Sequence, residues 1–390
     1  MKKLSLLMGG AIFATTTASA FMDMDDRLDT LEIQMNEISA RNPQETLGAS
    51  FVGARPEIDG TNLFLTFDVI YWHTKVGGTE FAVTNNAFDP GIPLPRLISF
   101  HPGGVLKEND FGWDIGLKAG IGYKTPHDKW DVFARYTWLT ANDSKSIQKN
   151  APAVIIGMRS FLPILAKRAK SHVDTDYNNI DLELARSYFI SQHFSIRPHF
   201  DLKATWLNIR QNITYVFAGA FLSSRLDGLD EKISSSSKFW GVGPRAGIDG
   251  KLFIGDGFNL FGELSGSILY GHFRERLKEK FPVGVSDAIS GTLFTVRDHY
   301  HRFIPFVQMQ MGLEWGTYLN NNKQHLDFKV GYEVQYYWRI NQLMQTEEFD
   351  SHAVLPPDQQ TFVAGARHLF DKVSEDVMFY GITGEVRLDF

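Results

Sequence analysis

Alternation of apolar and polar residues dominates the chain from Leu63 onward. The clearest segment runs from Phe111 to Tyr123, where the odd positions are aromatic or aliphatic and the even positions are glycine, Asp114 or Lys118. A period of two is the signature of a β-strand. This strand is about twice as long as the usual five or six residues, and it fits the roughly 9–11 residues of a tilted membrane-spanning strand. The pattern predicts a transmembrane β-strand.

Nine further segments repeat this alternation. The connections between segments alternate between about five residues, near 125, 190, 255 and 320, and about thirty, around 74–110, 140–173, 208–237, 272–299 and 340–375. Short periplasmic turns and long extracellular loops are typical of outer-membrane barrels. We predict an all-β, antiparallel transmembrane barrel over residues 63–390, with about ten strands within a range of eight to fourteen. The other predicted strands are 63–71, 130–138, 180–184, 196–206, 240–252, 258–270, 303–315, 326–336 and 378–390.

Tryptophan placement tests this barrel independently. Seven of the eight tryptophans share the apolar parity and lie near strand ends, whereas Trp72 departs from it. Indole rings prefer the membrane interface, so two rows of them predict the aromatic girdles of a barrel. We place Trp130 and Trp315 at the periplasmic end. The predicted loop-side row is Trp113, Trp138, Trp206, Trp240 and Trp338.

The N-terminus predicts export. Met1-Lys2-Lys3 is a positive segment, Leu4 to Phe13 is apolar, and Ala18-Ser19-Ala20 is a small-residue cleavage pattern. The apolar stretch is about half the roughly 20 residues that a spanning helix needs. We therefore expect residues 1–20 to be a cleaved signal peptide.

Residues 21–41 show a different period. Apolar residues starting at Phe21 are separated by three, four, three, four and three positions. This spacing is that of an a/d seam, and it predicts a short periplasmic helix or coiled coil followed by a linker over 42–62. The seam suggests a homo-oligomer, although a helix packed on the barrel or plugging a pore is an alternative. The seam residues are Met24, Leu28, Leu31, Met35 and Ile38.

Composition changes this prediction little. The chain has a formal charge of −6 and contains no cysteine. Neither property suggests a nucleic-acid partner, and the absence of cysteine fits an exported protein without disulfides.

The polar parity of the predicted strands is rich in charge. If the apolar parity faces lipid, these charges face the lumen, where burial in a dry core would cost several kcal/mol each unless they are paired. They then line a wet pore or cross-link a plugged structural barrel. Ten strands imply a narrow pore at best, because about eight strands are just filled by side chains. The predicted lumen-lining residues are Asp114, Lys118, Asp131, Arg135, Asp181, Glu183, Arg197, Asp201, Lys203, Arg245, Asp249, Lys251, Glu263, Arg302, Glu314, Lys329, Glu333, Glu385 and Arg387.

The predicted loop from Thr140 to Ser171 is basic and contains an apolar stretch from Ala151 to Leu165. It has three interpretations: a basic constriction in the mouth that favours anions, a packed helix over the rim, or a contact between subunits.

Enzymatic motifs are weak. His299, His301 and His352 fall near predicted rims with Asp298 and Asp350 nearby, but histidine and aspartate are common in loops. No nucleophile elbow, phosphate loop or His-x-x-x-His spacing occurs. We expect no catalytic residue, no metal and no cofactor.

The end of the chain resembles an assembly signal. The last predicted strand alternates to a terminal aromatic residue, Phe390. A terminal strand of this kind is similar to the signal that outer-membrane proteins present to the barrel-assembly machinery, which we therefore expect as a partner.

Several strand motifs resemble the Legionella-type major outer-membrane, pore-forming protein family, which also occurs in environmental chlamydiae. They are Asp68-Val69-Ile70-Tyr71-Trp72, Gly120-Ile121-Gly122-Tyr123, Trp130-Asp131-Val132, Arg197-Pro198 and Phe239 to Gly247. The resemblance implies an outer-membrane porin-like protein that passes small solutes or ions. The alternative is a surface adhesin or structural barrel that acts through long extracellular loops.

Overall fold

The computed structural model describes residues 61–85, 104–125, 130–150, 153–160, 165–191, 193–218, 227–281, 291–321, 323–346 and 370–390. The chain divides into two compact units, and all of these residues belong to the second, Gly53–Phe390. The predicted signal peptide, the 21–41 seam and the 42–60 part of the predicted linker lie outside the described residues.

Sixteen strands form the described part of the chain. They are β1 Leu63–Val76, β2 Ala82–Asn85, β3 Leu106–Lys107, β4 Trp113–Lys124, β5 Trp130–Gln148, β6 Val154–Gly157, β7 Leu165–Arg186, β8 Tyr188–Ser191, β9 Phe194–Phe217, β10 Asp230–Gly255, β11 Phe258–Phe281, β12 Gly291–Leu319, β13 Gln324–Asn341, β14 Met344–Thr346, β15 Phe370–Lys372 and β16 Glu375–Asp389. No helix in these ranges is long and apolar enough to cross a membrane.

Ten long strands close into an antiparallel ring in the order β1-β4-β5-β7-β9-β10-β11-β12-β13-β16. The ring closes between the first and last strands, since β16 pairs with β1 from Phe64↔Asp389 to Val76↔Val377. The Phe390 amide extends this ladder by donating to the carbonyl of Leu63 at 2.8 Å. The predicted count of about ten strands is therefore confirmed.

Tight turns join the strands at the end that carries the C-terminus. Between β10 and β11 the turn is Asp256-Gly257, with φ of 51° and 80°. An Asp-Gly pair with positive φ at both residues matches a two-residue hairpin turn that suits the twist of the strands. Because short turns are periplasmic in outer-membrane barrels, we assign this end to the periplasm and the opposite end to the outside.

Three of the predicted long loops are largely strand, which corrects the loop prediction. Residues 140–148 and 165–171 belong to β5 and β7, and the stretches predicted as loops over 208–237 and 272–299 are mostly parts of β9 to β12. Beyond the outer aromatic row the alternation inverts. Along β11, Phe273 and Leu277 are buried inside while Arg274 and Arg276 are exposed. Water rather than lipid covers these extensions, so the outward side chains are polar.

The outer surface carries an apolar belt between two rows of indoles. Trp130 and Trp138 lie on one strand, eight residues and therefore about 27 Å apart along it. Tilt of the strand brings this span close to the roughly 25 Å apolar band of such barrels. All seven predicted girdle tryptophans are exposed on the outside: Trp113, Trp130, Trp138, Trp206, Trp240, Trp315 and Trp338.

Phe111 is an exception to the predicted parity. The alternation assigned it to the lipid-facing row of a strand, but β4 begins only at Trp113. Phe111 is 3% exposed and belongs to the buried apolar cluster. The prediction for this residue was wrong because the strand had not yet begun, so alternation did not fix the direction of its side chain.

Close approach of neighbouring strands makes Gly312 a sensitive position. A methyl group there would lie 2.1 Å from the Val330 carbonyl oxygen and 2.4 Å from the Gly331 Cα, whereas nothing lies within 4 Å of a methyl group at Gly262. We expect Gly312→Ala to lower the free energy of unfolding by about 1–3 kcal/mol through overpacking. The matched control, Gly262→Ala, should leave the urea midpoint of refolded protein unchanged. Equal midpoints for the two variants would contradict this assignment.

Candidate functional site: the barrel interior

The interior of the membrane-spanning part is charged. Every predicted lumen-lining residue lies on the inward parity and is buried or half-buried. Asp114 and Arg302 are half-buried near the outer end of the membrane-spanning part, and the others lie between that level and the periplasmic rim. Burial of so many ionised groups is tolerable only if they neutralise one another.

Arg197 is the centre of the periplasmic layers. Its Nε donates to Asp131 at 3.1 Å, and its Nη1 donates to Asp249 at 2.8 Å. Its Nη2 also pairs with Glu183. Since the guanidinium has a rigid planar fork of donors, one arginine can hold carboxylates from three strands at once. Arg197, on β9, therefore links the neighbouring strands β5, β7 and β10 along one side of the wall.

A second charged layer lies nearer the middle of the membrane. The Arg245 guanidinium lies 3.1 Å from Asp201 and 3.7 Å from Asp181. The Lys203 ammonium, which is fully buried, donates to Asp181 at 3.3 Å. Two cations thus meet two carboxylates, and the layer has no net charge by this count.

Lys118 and Glu333 form a buried ion pair across the barrel. Their charged atoms are 2.6 Å apart, and their side chains are 1% and 0% exposed. Glu333 also accepts hydrogen bonds from Gln308, Gln335 and Thr383. Each of the two carboxylate oxygens of Glu333 therefore accepts two hydrogen bonds, and its negative charge is paired with the Lys118 ammonium.

An aromatic layer closes the lumen above these charges. Tyr177 and Tyr337 share a hydrogen bond of 2.9 Å between their hydroxyls. Phe306 packs on Tyr337 with ring centroids 4.4 Å apart, and Phe379 packs on Tyr177 at 4.7 Å. The Lys203 ammonium lies 4.3 Å from the Phe306 centroid, so cation–π contact joins the two layers. We call Tyr177, Phe306, Tyr337 and Phe379, together with Trp72, the aromatic plug.

Trp72, which broke the tryptophan pattern in the sequence, points inward. Its side chain is 0% exposed, and its indole Nε1 donates to the Thr383 hydroxyl at 3.1 Å. Its inward parity on β1 was readable from the sequence. That its ring packs against Phe379 of β16 and lies under the Lys118 ammonium of β4 was not.

Arg159 fastens the outer end of the barrel. Its guanidinium donates to the carbonyls of Gly78 and Glu80 at 2.7 and 2.8 Å, and to the Gln345 side chain at 2.7 Å. The residue is 5% exposed. The predicted Thr140–Ser171 loop thus contributes β6 and this anchor. The alternative of a packed helix is wrong over the described residues 140–150, 153–160 and 165–171, which contain strands. Arg159 is bonded to protein rather than free to attract anions.

Two interior clusters have metal-ligand chemistry, namely Glu183, His199 and Asp201, and His325, Asp327 and Asp389. In the first, Asp201 already pairs with Arg245. In the second, Asp389 pairs with Lys124 at 2.8 Å and with Arg387 at 2.9 Å. In both clusters a carboxylate that could bind a metal ion is already paired with a cation of the protein.

Buried carboxyls lie above the membrane-spanning part, in the outer extensions of β10 and β11. Burial raises the pKa of Glu231 to about 10, and the neighbouring Glu279 carboxyl adds to this shift. Burial also raises the pKa of Glu275 to about 8, although its hydrogen bond from Ser237 and the charge of Lys372 oppose the rise. These carboxyls are protonated at neutral pH.

The closed antiparallel ring, the apolar belt, the two indole rows and the charged interior define a bacterial outer-membrane β-barrel. The chain belongs to the Legionella pneumophila major outer membrane protein precursor family, whose model matches residues 59–390. No curated protein matches the chain.

Three solved outer-membrane proteins are remotely similar to the chain. The outer membrane protease OmpT from Escherichia coli is 11% identical, with a TM-score of 0.37 over 86% of this chain and 99% of that one. The translocator domain of the autotransporter NalP from Neisseria meningitidis is 9% identical, with a TM-score of 0.30 over 94% and 97%. The TodX deltaS2S3 mutant monoaromatic hydrocarbon channel is 11% identical, with a TM-score of 0.29 over 85% and 91%. Likeness at this level assigns no activity to the chain.

The pair of Lys118 and Glu333 makes a first test of the interior. Lys118→Met leaves the Glu333 carboxylate buried without its cation, so we expect a loss of roughly 3–5 kcal/mol in the free energy of unfolding. Lys232, whose pair with Asp230 at 3.0 Å is exposed, is the control, and Lys232→Met should lose at most about 1 kcal/mol. Urea unfolding followed by tryptophan fluorescence measures both. A similar effect of the two substitutions would contradict the buried-pair interpretation.

The raised pKa values of Glu231 and Glu275 predict a pH dependence. Above the ordinary glutamate pKa of 4.5 the unfolded chain releases these protons, while the folded barrel keeps them until about pH 10 and 8. Their contribution to stability is therefore complete below about pH 4.5 and declines as the pH rises. Between pH 5 and 8 the free energy of unfolding should therefore fall less in the variant Glu231→Gln/Glu275→Gln than in the wild type. Urea titration at each pH measures this free energy. An unchanged slope would show that these carboxyls ionise normally.

Proposed function

We propose that the protein is a narrow, gated pore of the outer membrane that passes small ions or solutes, and that this conformation is its closed state. The observation that carries the proposal is the division of the lumen into a charged periplasmic half and an aromatic plug. The family match supports an outer-membrane role.

The charged half suits a conduction path. Its ionised groups of both signs come from several strands, as in the layers built on Arg197 and Arg245 and in the pair of Lys118 and Glu333. Rings of charged side chains set selectivity in channels. Because the predicted lumen-lining residues comprise nine cations and ten carboxylates, we expect weak selectivity between cations and anions rather than the strong preference of a single-sign ring.

The aromatic plug suits a gate because it consists of side chains that contact one another through their aromatic rings. Phe306, Tyr337 and Phe379 are at most 2% exposed and project from three different strands of the wall. A hydrophobic constriction blocks ions by excluding water, and rotation of a few side chains can wet it. The wall itself, held by main-chain hydrogen bonds, need not move.

A structural barrel is the second candidate, and the filled lumen favours it. Charges that neutralise one another, such as Lys118 and Glu333, stabilise a narrow barrel without any transport. Under this alternative the outer end carries the function, through surface contacts.

Planar-bilayer recordings separate the two candidates. Phe306→Ala removes a plug ring from the lumen, so purified variant protein should show a higher open probability or larger conductance steps than the wild type. The matched control is Phe200→Ala, which removes a phenyl ring that is 62% exposed on the outer face. We expect the control to behave as the wild type does.

The proposal requires discrete steps from correctly folded wild-type protein. If the wild type and Phe306→Ala are both silent, while the folded barrel is verified by its heat-modifiable migration on gels, the pore proposal is wrong and the structural barrel stands. A reversal potential in a salt gradient then measures the selectivity of any pore that opens.

A further inference from the structure

The outer face of β10 to β12 carries rows of cations directly above the aromatic belt. In the register, Trp240 faces Trp206 on one side and His272 on the other, and His272 faces His301. This row marks the outer interface of the membrane. The features described next lie above it, on the side that faces out of the cell.

Two residues further along the strands, about 7 Å above the indole row, lies a row of Lys238, Arg274 and His299. The next row brings Arg276 directly opposite Arg297. Like charges directly opposite one another destabilise a sheet. The sequence nevertheless places them together, and both arginines are exposed.

Nothing in the described part of the chain neutralises these cations. Among the described outward positions of β10 to β12 above the belt, the one carboxylate is Asp230, which pairs with Lys232 at 3.0 Å. Glu275 and Glu279 point inward and are buried. The nearby Asp298 is paired with Lys372 at 2.5 Å. Arg274, Arg276 and Arg297 form no ion pair with the residues that the structure describes, so their charge can meet an anionic ligand.

A crevice joins this face to the lipid belt. Pairing between β12 and β13 stops at Phe306↔Tyr337, so the outer part of β12 pairs only with β11. The gap left there is about 460 Å³ and is lined by Arg302, Phe303, Pro305, Trp338 and Arg339. A lining of three apolar side chains and two arginines suits a molecule that has both an acyl chain and an anionic headgroup.

We propose that this face binds the phosphorylated glycolipid of the outer leaflet, with its phosphates on the cationic rows and an acyl chain in the crevice. Arginine matches phosphate oxygens through two parallel hydrogen bonds, which is why arginine-rich surfaces favour phosphate. The height of the rows above the belt is that of a lipid headgroup. Bound phosphates also remove the repulsion between Arg276 and Arg297.

Titration of the detergent-refolded full chain with diphosphoryl lipid A tests the proposal. We expect the variant Arg274→Gln/Arg276→Gln to bind lipid A at least about tenfold more weakly than the wild type does, since each cation near an anionic surface strengthens binding several-fold. The control is Arg168→Gln/Lys170→Gln, which removes two exposed cations of β7. Lys170 lies eight residues beyond the indole row, about 27 Å along the strand, and the control should bind lipid A as the wild type does.

Two further probes identify the ligand. Lipid A from which both phosphates have been removed should bind the wild type about tenfold more weakly, and inorganic phosphate at the same concentration should not displace lipid A. The proposal is overturned if the dephosphorylated lipid binds equally well, if inorganic phosphate competes equally, or if the Arg274/Arg276 variant keeps full affinity for lipid A. Loss of heparin binding in that variant, with lipid A binding retained, would instead assign the face to an acidic polysaccharide.

Discussion

Closure of the main-chain hydrogen bonds around the ring is the constraint on which the rest of this protein depends. Hydrocarbon offers no partner to a peptide group, so a sheet can span the membrane only if it has no free edge there. Pairing of β1 with β16 along their whole shared length removes that edge. Ten strands fix the circumference, and the lumen is then so narrow that side chains from opposite walls meet.

Contact across the lumen explains the interior chemistry. Ionised groups that meet in a narrow space must be matched in sign and geometry, and Arg197, Arg245 and Lys118 each meet carboxylates from other strands. Above them the same narrowness lets aromatic rings from separate strands touch and seal the lumen. The pore proposal and the structural alternative both follow from this filling, and they differ only in whether the aromatic plug moves.

The change of surroundings at the outer indole row explains the upper part of the barrel. Below that row lipid is outside and charge is inside, whereas above it water is outside and apolar residues such as Phe273 and Leu277 are inside. Apolar and polar residues still alternate, but the apolar side chains now point inward and the polar side chains point outward. Arginines on the outer face of these extensions, Arg274 and Arg276 among them, therefore lie where the headgroups of the outer leaflet are expected.

The alternation of apolar and polar residues and the alternating lengths of the connections were enough to locate all ten barrel strands. They also gave the inward parity of Lys118, Asp181 and Glu333, because a period of two depends only on neighbours along the chain. Strand extensions were missed, since their inverted alternation reads as polar loop without knowledge of where lipid ends. Which charges pair, that Trp72 joins an aromatic plug, and that Arg159 anchors the outer end depended on tertiary structure. Those contacts join strands far apart in the chain, and only the closed ring brings them within bonding distance.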